Sequence, residues 1–285
     1  MLLLCAAAGA AVAQVQPLAH YRGLAGDERV ELILVHDSAW DFVSGALFGP
    51  DRVLVPLEPT PHATDAPLVI TTQAAGADLP EVALVLRPFA VFDAHLGGSR
   101  VDLRTRDALP LRLERVARFE AGTSAPAFDA ELLQQGGGRD RYFVVHASKG
   151  ARQQTGRVDR VDVYDRATGE VLQALDGLGL WFRGMETLDV FDMNGDGIVD
   201  FRATGLEDGN AQAVQYFLSQ DGGYRRNGML EKLAARGPLQ FRDGNVQLRL
   251  TDTIDWDDRT CEWEHYRFPA PDRIEYTTVR REPCS

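Results

Sequence analysis

Apolar residues recur along this chain in short runs, and no stretch from Val30 to Glu120 carries a helical stripe. VELILVHD, RVLVPLEP, PLVITTQ, PEVALVLRPFAVF and LPLRLERVARFE each read as a strand, several with alternating apolar and polar positions and all punctuated by Pro, Gly or Asp. Pro56, Pro59, Pro61 and Pro67 make a loop of the region around Thr60 to Ala66. Residues 121–140 differ in character: AGTSAPAF and ELLQQGGGRD are small, polar and Gly-rich. They read as a linker or crossing loop with one short helix at Asp129 to Gln135.

Beyond it the hairpins become regular. YFVVHAS leads into RVDRVDVYDRATGEVLQALDG, which turns at Asp165 to Gly169; VQYFLSQDGGYRR turns at Asp221 to Gly223, and GPLQFRDGNVQLRLTD turns at Asp243 to Asn245. CEWEHYRFPAPDRIEYTTVRRE supplies two more strands, and Asp-Gly recurs at irregular spacing from Asp176 to Asp243. The pattern predicts an all-β protein, a degenerate β-propeller-like meander of antiparallel hairpins with a β-rich N-terminal half.

At 285 residues with 45% hydrophobic and 25% charged positions, the chain is long enough for a substantial globular core. A formal charge of -12 disfavours nucleic acid, whose phosphates need a cationic face, and suits a basic partner or a cation-binding surface. Residues 1–13 form a short apolar run ending in Ala11-Val12-Ala13, the small-x-small pattern that signal peptidase cuts. Its basic n-region is missing, Cys5 follows Leu4 rather than a lipobox residue, and the run is too short to span a bilayer. The expected organisation is a signal peptide over 1–13, a β-rich region over 14–120, a linker over 121–140 and a second β-rich region over 141–285, in a periplasmic or secreted protein without a transmembrane span. In an oxidising compartment Cys261 and Cys284 should pair, for about 3 kcal/mol in the chain-entropy account.

The chemistry concentrates in LDVFDMNGDGIVDFRAT. Asp192, Asn194, Asp196 and Asp200 place oxygen-bearing side chains at positions 1, 3, 5 and 9 of a loop, with the carbonyl of Ile198 at position 7 and Gly195 and Gly197 to let the backbone turn. A hard cation such as calcium takes six to eight oxygens, which this spacing can begin to supply. The loop is not an EF-hand: Ala203 stands where the bidentate Glu would be, and its flanks read as strands. All ligands come from one loop, so the calcium reads as structural.

There is no G-x-S-x-G elbow and no H-E-x-x-H zinc spacing, which argues against the common hydrolase constellations. TDTIDWDDRTCEWEHY gathers Asp255, Asp257, Asp258, Glu262 and Glu264 around Trp256 and Trp263, beside Cys261. Asp255, Trp256, Asp257 and Asp258 are candidate partner contacts, an acidic steering surface with an aromatic anchor. The alternatives are that the tryptophans belong to the core, or that a carboxylate pair such as Asp255 and Glu262 serves a glycan hydrolase.

From about Tyr142 onward the chain resembles proteins with FG-GAP-like or VCBS-like calcium loops, on Asp192, Asn194, Asp196, Gly197 and Asp200. The single loop, the hairpin before it and VQYFLSQDGGY after it are more specifically similar to periplasmic immunity proteins that inhibit the peptidoglycan hydrolase effectors of a type IV secretion system. That resemblance implies a degenerate propeller with one calcium site, no catalytic residues of its own, and a basic cell-wall hydrolase as partner. An exported hydrolase acting on glycans and a carbohydrate-binding or adhesion module remain the alternatives.

Overall fold

A computed structural model describes residues 16–63, 66–72, 79–138, 140–250, 260–270 and 273–283. The expected signal peptide lies outside the described residues. Eight strands make the first sheet: β1 (Leu18–Ala25), β2 (Glu28–Asp37), β3 (Phe42–Phe48), β4 (Leu54–Pro61), β5 (Leu68–Thr71), β6 (Val82–Leu86), β7 (His95–Asp102) and β8 (Ala108–Phe119). All pairings are antiparallel, in the order β4-β3-β2-β1-β8-β7-β6-β5. A bridge from Leu57 to Thr72 brings the two ends of that order together, so the meander is nearly closed as a barrel. Alternation then sends Tyr21, Leu32, Leu34, Leu47, Ile70, Leu84 and Leu113 into one shared interior. Closing so small a sheet needs sharp bends. A Cβ on Gly45 would stand 1.9 Å from the Ile33 carbonyl oxygen, a close approach that only glycine permits.

The second sheet contains β9 (Phe128–Leu133), β10 (Arg141–Lys149), β11 (Arg157–Asp165), β12 (Val171–Trp181), β13 (Asp189–Phe191), β14 (Asp200–Glu207), β15 (Asn210–Gln220) and β16 (Gly223–Arg226). Its order is β16-β15-β14-β12-β11-β10-β9, with β13 alongside β14. The short helix expected at Asp129 to Gln135 is not formed: β9 occupies that place, paired with β10 from Val144↔Leu133 to Lys149↔Phe128. ELLQQ has helical propensity, but pairing with β10 lets Phe128, Leu132 and Leu133 be buried, and tertiary burial outweighs propensity.

One side of the barrel's outer surface is buried as well. Leu18, Ile33, Phe48 and Phe119 from the barrel share one core with Phe128, Phe143, Val161, Phe182 and Phe201. The rings of Phe119 and Phe182 meet edge to face at 4.8 Å.

Helix α1 (Gly228–Ala234), capped by the Asn227 side chain, precedes the last sheet. That sheet comprises β17 (Leu239–Arg242), β18 (Asn245–Arg249), β19 (Thr260–Ala270) and β20 (Arg273–Pro283), in sequence order and antiparallel. Leu230 and Leu233 of the helix join Met193, Tyr216, Leu218, Val246, Leu248 and Tyr266 in its core. The chain is all-β, as its pattern predicts. The four-stranded sheet has the size of a propeller blade, whereas the two larger sheets each run through eight strands. No helix among the described residues is long and apolar enough to cross a membrane.

Candidate metal centre

The loop of interest joins two strands, as the Val, Ile and Phe on its flanks require. β13 pairs with β14 through Asp189↔Arg202, Val190↔Phe201 and Phe191↔Asp200, which holds the ends of the loop together. Gly195 and Gly197, at φ 76° and 84°, supply the turns. The Asp192 carboxylate accepts the N–H of Gly195 at 2.7 Å and of Gly197 at 2.9 Å. Asn194 accepts the Asp196 N–H at 3.1 Å through its Oδ1, and Asp196 accepts the Ile198 N–H at 2.8 Å. These side-chain to backbone bonds are why Asp and Asn at alternate positions form this loop.

Asp200 lies beneath the loop, fully buried, and accepts the N–H groups of Met193 at 2.9 Å and Ser219 at 2.7 Å. Burial pushes its carboxyl up to about 6 despite those two hydrogen bonds, and the charges of Asp196 and Asp192 push in the same direction.

All five sequence-derived ligands, Asp192, Asn194, Asp196, Ile198 and Asp200, thus belong to one hairpin connection. Among the described residues no group of three or more His, Cys, Asp or Glu side chains converges closely enough to hold a metal ion by itself. The fit rests instead on donor chemistry. Every candidate donor is an oxygen, each carboxylate keeps acceptor capacity beyond the N–H it binds, and the crowded charge around Asp200 favours a cation. Asp192, Asn194, Asp196 and Asp200 with the Ile198 carbonyl would hold it, and its chemistry there is to neutralise and cross-link the loop.

The candidate partner contacts Asp255, Trp256, Asp257 and Asp258 lie outside the described residues, and so does Cys284. Cys261 is fully buried on β19, where Glu282, two residues before Cys284, stands opposite it. Trp263 is core, at 2% exposure. Glu264 is held low by its hydrogen bond from Arg236, against burial, with Tyr266 also donating to it.

One polar cluster is not visible in the linear pattern. On the outer face of the second sheet, His146 Nε2 lies 2.7 Å from Asp162 Oδ2, and Arg160 clamps the same carboxylate at 2.7 and 3.1 Å. Glu131 Oε1 is 3.7 Å from the His146 Nδ1. Burial pushes the Asp162 carboxyl up, but the Arg160 and His146 hydrogen bonds and charges outweigh it and hold it low. The cluster draws on β9, β10 and β11, and only their register brings it together. No protein family, no curated protein and no solved structure matches the chain.

Proposed function

We propose that this chain is an exported calcium-binding protein that binds and inhibits a peptidoglycan hydrolase. The observation that carries the reading is the Asp192 to Asp200 loop, whose oxygen donors sit on a strand hairpin with the Asp200 carboxylate fully buried beneath them. Calcium has a structural part in this reading. At a free concentration about 100 times its dissociation constant, it would add about 2.7 kcal/mol to the stability of the fold.

The net charge of -12 favours a basic partner by speeding encounter. The acidic stretch from Asp255 to Asp258, in the connection between β18 and β19, is the proposed contact. A Cys261–Cys284 bridge would staple the strands on either side of the C-terminal hairpin. Within this reading the four-stranded C-terminal sheet plays the part of a propeller blade and calcium loop neighbour, and the compartment is periplasmic or secreted.

The His146, Asp162 and Glu131 cluster favours a second reading, an exported hydrolase acting on glycans. Lysis of a cell-wall suspension by purified basic peptidoglycan hydrolases, with the chain added in calcium and then in chelator, separates the two. Inhibition at about 1:1 in calcium supports the first. Soluble glycan released by the chain alone, and lost in His146→Ala, would replace it with the second. Isothermal titration with calcium tests the metal directly. Asp192→Ala and Asp196→Ala should abolish the rise in melting temperature that calcium gives, beyond the loss both show in chelator from the missing bonds to the loop N–H groups.

A further inference from the structure

The Asp192 to Val199 loop does more than connect β13 to β14, because it is seated on the turn between β17 and β18. A Cβ on Gly195 would stand 2.8 Å from Gly244 Cα, and one on Gly244 would stand 2.7 Å from the Asn194 carbonyl oxygen. Two backbones meet there with no side chain between them. Both glycines have positive φ, 76° and 70°, so the touching turns are of the kind glycine permits.

The flanks of the loop hold the same neighbour. Met193, fully buried, packs with Val246, Leu248 and Tyr266 in the core of the C-terminal sheet. Phe191 meets Phe241 of β17 edge to face at 5.4 Å, and the Arg202 guanidinium lies over both rings, at 5.3 and 5.9 Å. Along this segment the packing residues Phe191 and Met193 thus interleave with the donors Asp192, Asn194 and Asp196.

We infer that cation binding in this loop latches the C-terminal sheet to the rest of the molecule, so that calcium controls the docking of β17 and β18 on β13 to β15. The inference rests on the calcium reading and adds a consequence to it. Without a cation, the loop is held by its side-chain to backbone bonds alone, and the like charges of Asp192, Asp196 and Asp200 work against them. Opening would lift Asn194 and Gly195 from Gly244 and draw Met193 out of the C-terminal core. A cation that binds only the closed loop shifts the equilibrium toward the docked sheet by its differential affinity.

Amide hydrogen exchange on the full chain, in calcium and in chelator, tests the latch beside a calcium titration on the same samples. Calcium should slow exchange at least about tenfold both over 192–200 and over 239–249, since a local opening equilibrium sets each rate. In Gly244→Ala, whose Cβ would push against Asn194, calcium should still protect 192–200 and lose its effect on 239–249. Phe241→Leu, which loosens the aromatic contact and touches no donor, should weaken the effect on 239–249 in the same direction. Calcium heat with protection confined to 192–200 in the unmodified chain would overturn the latch while leaving the calcium reading intact. No calcium heat would overturn both.

Discussion

At the scale of single residues, two charges, Lys149 buried and Glu31 half-buried, carry testable stability. The chain has two lysines, Lys149 and Lys232, and uses arginine at every other basic position. Lys149 is 2% exposed, and its Nζ donates toward the carbonyls of Gly122, Ala125, Gly150 and Gln153 at 3.3 to 3.5 Å. A compact ammonium can sit among converging carbonyls, whereas a planar guanidinium cannot fill the same cage. Lys149→Met should therefore cost about 1–2 kcal/mol in urea unfolding, chiefly from the Ala125 carbonyl left without its donor, since those of Gly122 and Gly150 keep the N–H groups of Ala125 and Gln153, and Lys149→Arg should not recover it. A Met variant as stable as the parent would show that the cage contributes nothing. Glu31 is the second case. Burial pushes its carboxyl up, but the hydrogen bond with His20 and the charges of Arg52, His20 and Arg22 outweigh it and bring it from 4.5 to about 2. A depressed native pKa stabilises above the unfolded value and is lost as pH falls from about 4.5 toward 2, here on the order of 3 kcal/mol. Glu31→Gln should lower stability at pH 7 by about that amount, and the gap from the parent should close across the same pH window. A gap that stays constant with pH would refute the linkage.

At the scale of elements, the same substitution has opposite signs according to what surrounds the backbone. Gly45→Ala forces a Cβ against the Ile33 carbonyl in the barrel wall and should cost about 3 kcal/mol or more by overpacking. Gly228, at the start of α1, has nothing within 4 Å of its Cβ position, so Gly228→Ala should stabilise by about 0.5 kcal/mol through the unfolded state. Thermal melts of the two variants should bracket the parent. Elements that depend on local chemistry are legible in the residues: the hairpins turning at Asp165 to Gly169, Asp221 to Gly223 and Asp243 to Asn245 all form. The pattern does not mark β1, because Leu18, Ala19, His20 and Tyr21 are all buried, on the barrel interior and beneath the second sheet, and this erases alternation. Nor does it mark β7, where Gly97 and Gly98 weaken the apolar signal, or β9, whose residues favour helix until β10 pairs with them. The donor spacing of the metal loop is local and readable; its seat on Gly244 depends on contacts about fifty residues apart in sequence, and no spacing encodes that.

At the scale of the whole molecule, the barrel and the second sheet are joined through a core that neither could enclose alone. Phe119 ends β8 fully buried, in edge contact with Phe128 at 5.3 Å and Phe182 at 4.8 Å. Arg166, from the β11–β12 turn, donates to the carbonyls of Asp51 and Arg52 at 3.2 and 2.9 Å and pins the β3–β4 connection. Leu18, Ile33, Phe48 and Phe119 would form an apolar face on the barrel if the second sheet were removed. The two sheets should therefore unfold as one cooperative unit. Phe119→Ala should cost about 3–5 kcal/mol, the usual loss for a buried aromatic side chain. That cost should appear equally in the hydrogen-exchange protection of β2, inside the barrel, and of β11, in the second sheet. If protection fell over β11 while β2 kept its parent value, the barrel would be a unit stable in its own right, and the shared aromatic core would be only an interface between two separately folded parts.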